Sequence, residues 1–148
     1  MRGPKAIRRR LLTATEHEQL AEAAREVFGN QPDVIAAYLY GSAARDEPAA
    51  DLDIAVLFRA DADPARVEAL AAELQARGAP RGPEIDLRLL RGAAPRFQTT
   101  VLREARLLFE RDRKMRLQAE VVFMSMWADF KPTWDRMRRR MLDRWARG

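Results

Sequence analysis

The chain has 148 residues, 47% hydrophobic and 33% charged, which fits one soluble domain with a real core. It has no cysteine and one histidine, His17, so disulfides, thiolate metal sites, cysteine nucleophiles and a histidine-built zinc site are excluded. The net charge of +5 is unevenly spread: residues 1–10 carry five Lys/Arg and no acid, residues 131–148 carry seven against two acids, and residues 11–130 are net −5.

The basic ends read either as solvated helix faces or as a docking surface for an acidic partner or nucleic acid. No recognised nucleic-acid module is present, so direct nucleic-acid binding is not expected. No run of about 20 apolar residues exists, so no membrane span is expected. The basic start lacks the apolar stretch of a secretory signal, and a cytoplasmic location is expected.

Taken in chain order, Thr15 and Glu18 have the spacing of a capping box before an apolar-periodic stretch, and Gly29 is its expected end. Val34 to Tyr40 is an apolar run that predicts a buried strand. Gly41 and Ser42 follow at once and open a short helical segment with Ala43, Ala44 and Arg45. After a loop with Pro48, Asp51 to Phe58 reads as the next strand. Asp63 and Pro64 form a helix start, and Gly78 closes that helix. Glu84 to Leu90 is a third strand, with Ile85, Leu87 and Leu89 on one face and Asp86 and Arg88 on the other. Residues 96–105 read as helix and Arg106 to Glu110 as a short fourth strand. From Asp112 to Arg147 the pattern is helical, broken only by Pro132, which is expected to bend the helix or split it into a pair. The order α-β-α-β-α-β-α-β-α predicts a small α/β sheet packed by helices and finished by a long C-terminal helix. One domain is expected over residues 1–148, with a core at about 16–111 and a helical extension at about 112–147.

The chemistry is concentrated in residues 40–58 and at Asp86. Asp51 and Asp53 are two apart on a strand, so their carboxylates share a face. Like charges held this close repel, and a divalent cation resolves the conflict: Mg²⁺ (or Mn²⁺) takes one or two carboxylates plus substrate phosphates. Asp86 occupies the polar position of an apolar strand. If its strand lies beside that of Asp51 and Asp53, three carboxylates converge in the layout of a two-metal clamp. Gly41 lets the backbone approach a phosphate closely, the Ser42 hydroxyl adds a donor, and Arg45 either reaches the same phosphates or pairs with Asp46 or Glu47. Each feature alone has an ordinary alternative: a turn for Gly41-Ser42, a loop or cap for Asp51 and Asp53, an edge-strand charge for Asp86, a surface side chain for Arg45. Their combination in one strand–turn–strand–strand sequence is the informative part.

These residues resemble the DNA polymerase β-like nucleotidyltransferase superfamily and, more narrowly, the MNT-type minimal nucleotidyltransferases that act as antitoxins to HEPN-domain toxins. The resemblance spans roughly residues 16–135. It rests on Gly41-Ser42, on Asp51 and Asp53, on Asp86 within Glu84–Leu87, and on Val101–Asp112 with Asp129–Pro132. It implies a mixed sheet of the polymerase β type, catalytic and metal-binding Asp51, Asp53 and Asp86, and nucleotide contacts from Gly41, Ser42 and Arg45. It also implies Mg²⁺ or Mn²⁺, ATP as substrate, and transfer of AMP to a tyrosine hydroxyl of a cognate HEPN ribonuclease toxin. Three departures stand out. The spacer from Ser42 to Asp51 is shorter than usual in the family. Ala50 replaces a serine before the first aspartate, and Asp46 replaces a glycine after the arginine. Docking without catalysis and small-molecule nucleotidyl transfer are the competing expectations.

The C-terminal helix carries Leu117, Val121, Met124, Trp127, Phe130, Trp134, Met137, Met141 and Trp145 at steps of three or four. This is read as one apolar stripe, with Phe123, Met126 and Leu142 off it. It is either core or, over residues 133–148, a surface for a partner chain or for self-association, flanked by Arg136, Arg138, Arg139 and Arg140.

Overall fold

The computed structural model describes residues 8–148; most of the basic start, residues 1–7, lies outside the described residues. The elements are α1 (Ala14–Gly29), β1 (Val34–Tyr40), a 3-10 turn (Ser42–Arg45), β2 (Asp51–Phe58), α2 (Pro64–Gly78), β3 (Glu84–Leu89), α3 (Pro95–Glu104), β4 (Arg106–Glu110) and α4 (Arg113–Arg147).

Helix α1 starts two residues earlier than its sequence predicts. The capping box is Thr13 with Glu16: the Thr13 hydroxyl accepts from the Glu16 N–H at 3.1 Å, and the Glu16 carboxylate accepts from the Thr13 N–H at 3.1 Å. Thr15 and Glu18 have the same spacing, but only Glu16 also receives both guanidinium nitrogens of Arg10, at 2.7 and 2.6 Å. That bidentate pair selects the earlier start. At the other end, Arg111 donates to the carbonyls of Phe28, Gly29, Gln31 and Val34. It thereby satisfies acceptors that a helix terminus leaves open.

The strands form a mixed sheet in the order β3-β2-β1-β4. β1 pairs antiparallel with β2 and β4, while β2 and β3 run parallel. An extra β1 residue between Val34 and Ala36 bulges the β1–β2 ladder, which puts Ile35 and Ala36 on the same face. One face packs Leu39, Leu52, Ile54, Val56 and Phe58 against Leu20, Val27 and Phe28 of α1 and Leu70 and Leu74 of α2. The two helices approach closely at Gly78, where an added Cβ would lie 3.2 Å from both Ala23 Cβ and Leu20 Cδ1. The opposite face packs Tyr38, Ala55 and Leu57 against Val101 of α3 and Phe123 of α4.

Helix α4 is one continuous helix of 35 residues, with Pro132 inside it; the alternative of a broken helix pair is not what forms. At about 1.5 Å per residue it spans about 52 Å. Its first half is tied to the sheet: Tyr38 donates to Glu120 at 2.9 Å, and Arg116 bridges Glu120 and Glu110.

The expected single stripe on α4 is two. The steps Val121, Met124, Trp127 and Phe130 are all of three, each about 60° short of a full turn, so the row rotates to the opposite side of the helix. Leu117, Val121 and Met124 face solvent. The side that meets the body is Met115, Ala119 and Phe123, followed by the half-buried Trp127, Phe130 and Trp134. Beyond Trp134, whose ring lies 4.8 Å from the Arg96 guanidinium, the same side continues as the exposed Met137, Met141 and Trp145.

Candidate active site

The strands decide where the carboxylates sit. Leu52, Ile54 and Val56 must face α1 and α2, so alternation turns Asp51 and Asp53 to the other side. The same rule on β3 turns Ile85 inward and Glu84, Asp86 and Arg88 outward. Because β2 and β3 are parallel and in register, Asp53 lies directly beside Asp86, and Asp51 beside Glu84. On the other flank Asp53 is paired with Tyr40 of β1. The three aspartates predicted for the site are therefore brought to one corner of one face, where the sheet runs out from under α3 and α4.

A fourth carboxylate, Glu84, belongs to this corner and was not singled out from sequence. Its signal was available, since it precedes Asp86 by two residues on a strand; its pairing with Asp51 depends on register, which sequence spacing does not supply.

Gly41 follows β1 with φ +74°, a conformation favoured by glycine. A Cβ there would sit 2.6 Å from Asp53 Oδ2, so the loop is in contact with the carboxylate and has no room for a side chain. Ser42 starts the 3-10 turn immediately beside this contact. Asp46 ends that turn in the left-handed region at φ +54°. This is a backbone state that glycine adopts freely and aspartate tolerates, and Arg106 pairs with the Asp46 carboxylate.

Arg45 points elsewhere. Its guanidinium donates to Glu47 at 3.2 Å and to Glu104 at 2.8 Å, which ties the turn to the end of α3. Of the two sequence expectations for Arg45, pairing with Glu47 is the one this structure shows.

The electrostatics follow from the crowding. Burial, reinforced by the Asp86 and Asp51 carboxylates, pushes the Asp53 pKa above its usual range, while Arg88 pulls it back. Burial, reinforced by the Asp53 and Asp86 carboxylates against the pull of Arg88, pushes the Tyr40 hydroxyl up to about 12. Arg88 donates to Asp86 at 3.3 Å. Among the described residues, no three acidic or imidazole groups close into a finished metal cage. The donor set nevertheless fits Mg²⁺ or Mn²⁺, which need only one or two carboxylates when phosphates complete the shell. A cation would relieve the repulsion at Asp53. No helix among the described residues is long and apolar enough to cross a membrane.

A family model described as polymerase beta, nucleotidyltransferase matches residues 22–114. No curated protein matches in sequence. Among solved structures, a tri-AMPylated Shewanella oneidensis HEPN toxin in complex with MNT antitoxin contains a chain 22% identical, with TM-score 0.63, over 82% of this chain and 98% of that one. A toxin–antitoxin complex with AMP-PNP gives 23% identity and TM-score 0.62 over 82% and 97%. The toxin–antitoxin complex MntA-HepT gives 21% and 0.59 over 88% and 97%. These likenesses establish the fold.

Proposed function

Since the chain belongs to the polymerase beta nucleotidyltransferase family, we propose that it is an antitoxin that transfers AMP from ATP to a tyrosine hydroxyl of a HEPN-type ribonuclease toxin. The single observation that carries this reading is the in-register pair Asp53–Asp86 with Gly41 pressed against Asp53. A pure scaffold gains nothing from placing like charges side by side. Asp51, Asp53 and Asp86 are the residues that would hold Mg²⁺ or Mn²⁺, and the bound ions would neutralise charge on the phosphates. Gly41 and Ser42 receive the triphosphate. The acceptor oxygen bonds to the α-phosphorus, the bond from that phosphorus to the bridging oxygen of the β-phosphate breaks, and pyrophosphate leaves. The structural neighbours support the acceptor class, because one of them is a complex of an AMPylated HEPN toxin with its MNT antitoxin.

The partner docks, in this reading, on the distal side of α4, where Met137, Met141 and Trp145 are exposed next to Arg138, Arg140 and Arg144. The same exposure favours a second reading, neutralisation by docking alone. ATP labelled at the α-phosphate, incubated with the chain and a HEPN protein encoded beside it, separates the two. Label on a partner tyrosine, lost in Asp53→Asn, supports transfer. A stable unlabelled complex that protects against the toxin supports docking alone.

A further inference from the structure

Three side chains close the inner end of the carboxylate corner, and the reading above gives them no role. The rings of Tyr40 on β1 and Phe97 on the first turn of α3 meet edge-on, with centroids 5.5 Å apart at 84°. The Arg88 guanidinium lies 5.8 Å from the centre of the Phe97 ring and reaches Asp86 at 3.3 Å. Tyr40 and Phe97 are only half-buried, and Arg88 is exposed. The result is an aromatic wall with a cation over it, next to the reacting corner and open to solvent.

The position across the sheet decides what this wall meets. Gly41 and Ser42 lie at the β1 side of Asp53, whereas Asp86 and Arg88 lie at the β3 side. With phosphates on the Gly41 side, in-line attack brings the acceptor oxygen from the opposite side, toward Asp86 and Arg88, and the Phe97 ring borders that side through its contact with the Arg88 guanidinium. We propose that Phe97 and Arg88 form the acceptor subsite and that it selects a phenol ring; this rests on the AMP-transfer reading above. The ring packs on Phe97, and the guanidinium faces the phenolic oxygen as it loses its proton to solvent and bonds to the α-phosphorus, with pyrophosphate leaving. A serine or threonine hydroxyl reaches the same place with no ring to fill the wall.

The test uses the whole chain with Mg²⁺, the unreactive α,β-methylene analogue of ATP, and N-acetyl-tyrosinamide as the acceptor probe. Expected are proton–proton contacts between the probe ring and the Phe97 ring by nuclear magnetic resonance. Probe affinity should fall about tenfold in Phe97→Leu and in Arg88→Gln, the scale of one ring or cation–π contact. Phe97→Tyr should retain it, and the affinity of Phe97→Leu for the nucleotide should stay within about twofold of wild type. Contacts from Phe97 to the adenine ring instead, or unchanged probe affinity in folded Phe97→Leu, would overturn the assignment. A wild-type chain that binds the probe at Phe97 but transfers AMP to no acceptor would support the subsite and sink the transfer reading.

Discussion

The carboxylate corner and the distal half of α4 make opposite uses of the same core. At the corner, every side chain is aimed by strands whose other faces are buried: Leu52 and Ile54 are fixed under α1 and α2, so Asp51 and Asp53 have one direction left. On α4, the side that packs on the body through Phe123, itself 4% exposed, continues past the body, so that Trp145 is 85% exposed. The distal helix is one apolar seam with half its contacts unmade. One region has its apolar side chains covered by the chain's own helices, and the other leaves Met137, Met141 and Trp145 exposed.

The largest effect that would sharpen this contrast is on stability. Phe123→Ala should cost about 3–5 kcal/mol, the range for truncating a buried ring, whereas Met141→Ala should cost under about 0.5 kcal/mol. Urea melts of both variants check this; equal losses would mean that the distal helix is already part of the packed body. Removing residues 136–148 should likewise leave the circular dichroism of a folded domain and nucleotide binding intact, while binding to a HEPN partner is lost.

Next in size is catalysis. Asp53→Asn and Asp86→Asn should each lower AMP transfer by about 10²-fold or more with little change in melting temperature, the scale for losing a main electrostatic contributor. Wild-type transfer rates in either variant would move the active site away from this corner. A smaller effect is expected at the loop: Ser42→Ala should weaken ATP binding by about 0.5–3 kcal/mol, read by calorimetry. Gly41→Val should weaken it further, since its Cβ would collide with Asp53 Oδ2 and its φ of +74° is strained for valine.

The smallest effect is at the cap of α1. Thr13→Ala should cost about 1 kcal/mol. The Arg10 guanidinium, followed by the Thr13 N–H, holds the Glu16 pKa down to about 2. A carboxylate depressed in the folded state adds stability above its unfolded pKa of about 4.3, and that stability is lost as the pH falls from there toward 2. Glu16→Gln should flatten this segment of the stability–pH curve.

The strands were legible from sequence because β1 and β2 are long apolar runs between clear breaks, and Asp53 and Asp86 stood out as charges in strands. What stayed hidden depends on pairing at a distance. Glu84 gains its meaning from its register with Asp51. Arg45 is claimed by Glu104, 59 residues away. The capping box of α1 is ambiguous in sequence because two overlapping pairs satisfy the same spacing and Arg10 decides between them. The stripe on α4 reads as one in sequence because steps of three and four both suit a helix, yet three consecutive steps of three cross to the other side of it. The nucleotidyltransferase family, in contrast, is readable from Gly41-Ser42 and the three aspartates in sequence alone.

Metal and nucleotide should meet at the corner between β2 and β3, and Mn²⁺ titration followed by electron paramagnetic resonance measures this. With the α,β-methylene analogue of ATP present, the wild-type chain should bind Mn²⁺, and Asp53→Asn and Asp86→Asn should each weaken that binding about tenfold or more, roughly the 1.4 kcal/mol or more expected when one carboxylate ligand is neutralised. Equal Mn²⁺ affinity in all three folded proteins would contradict it.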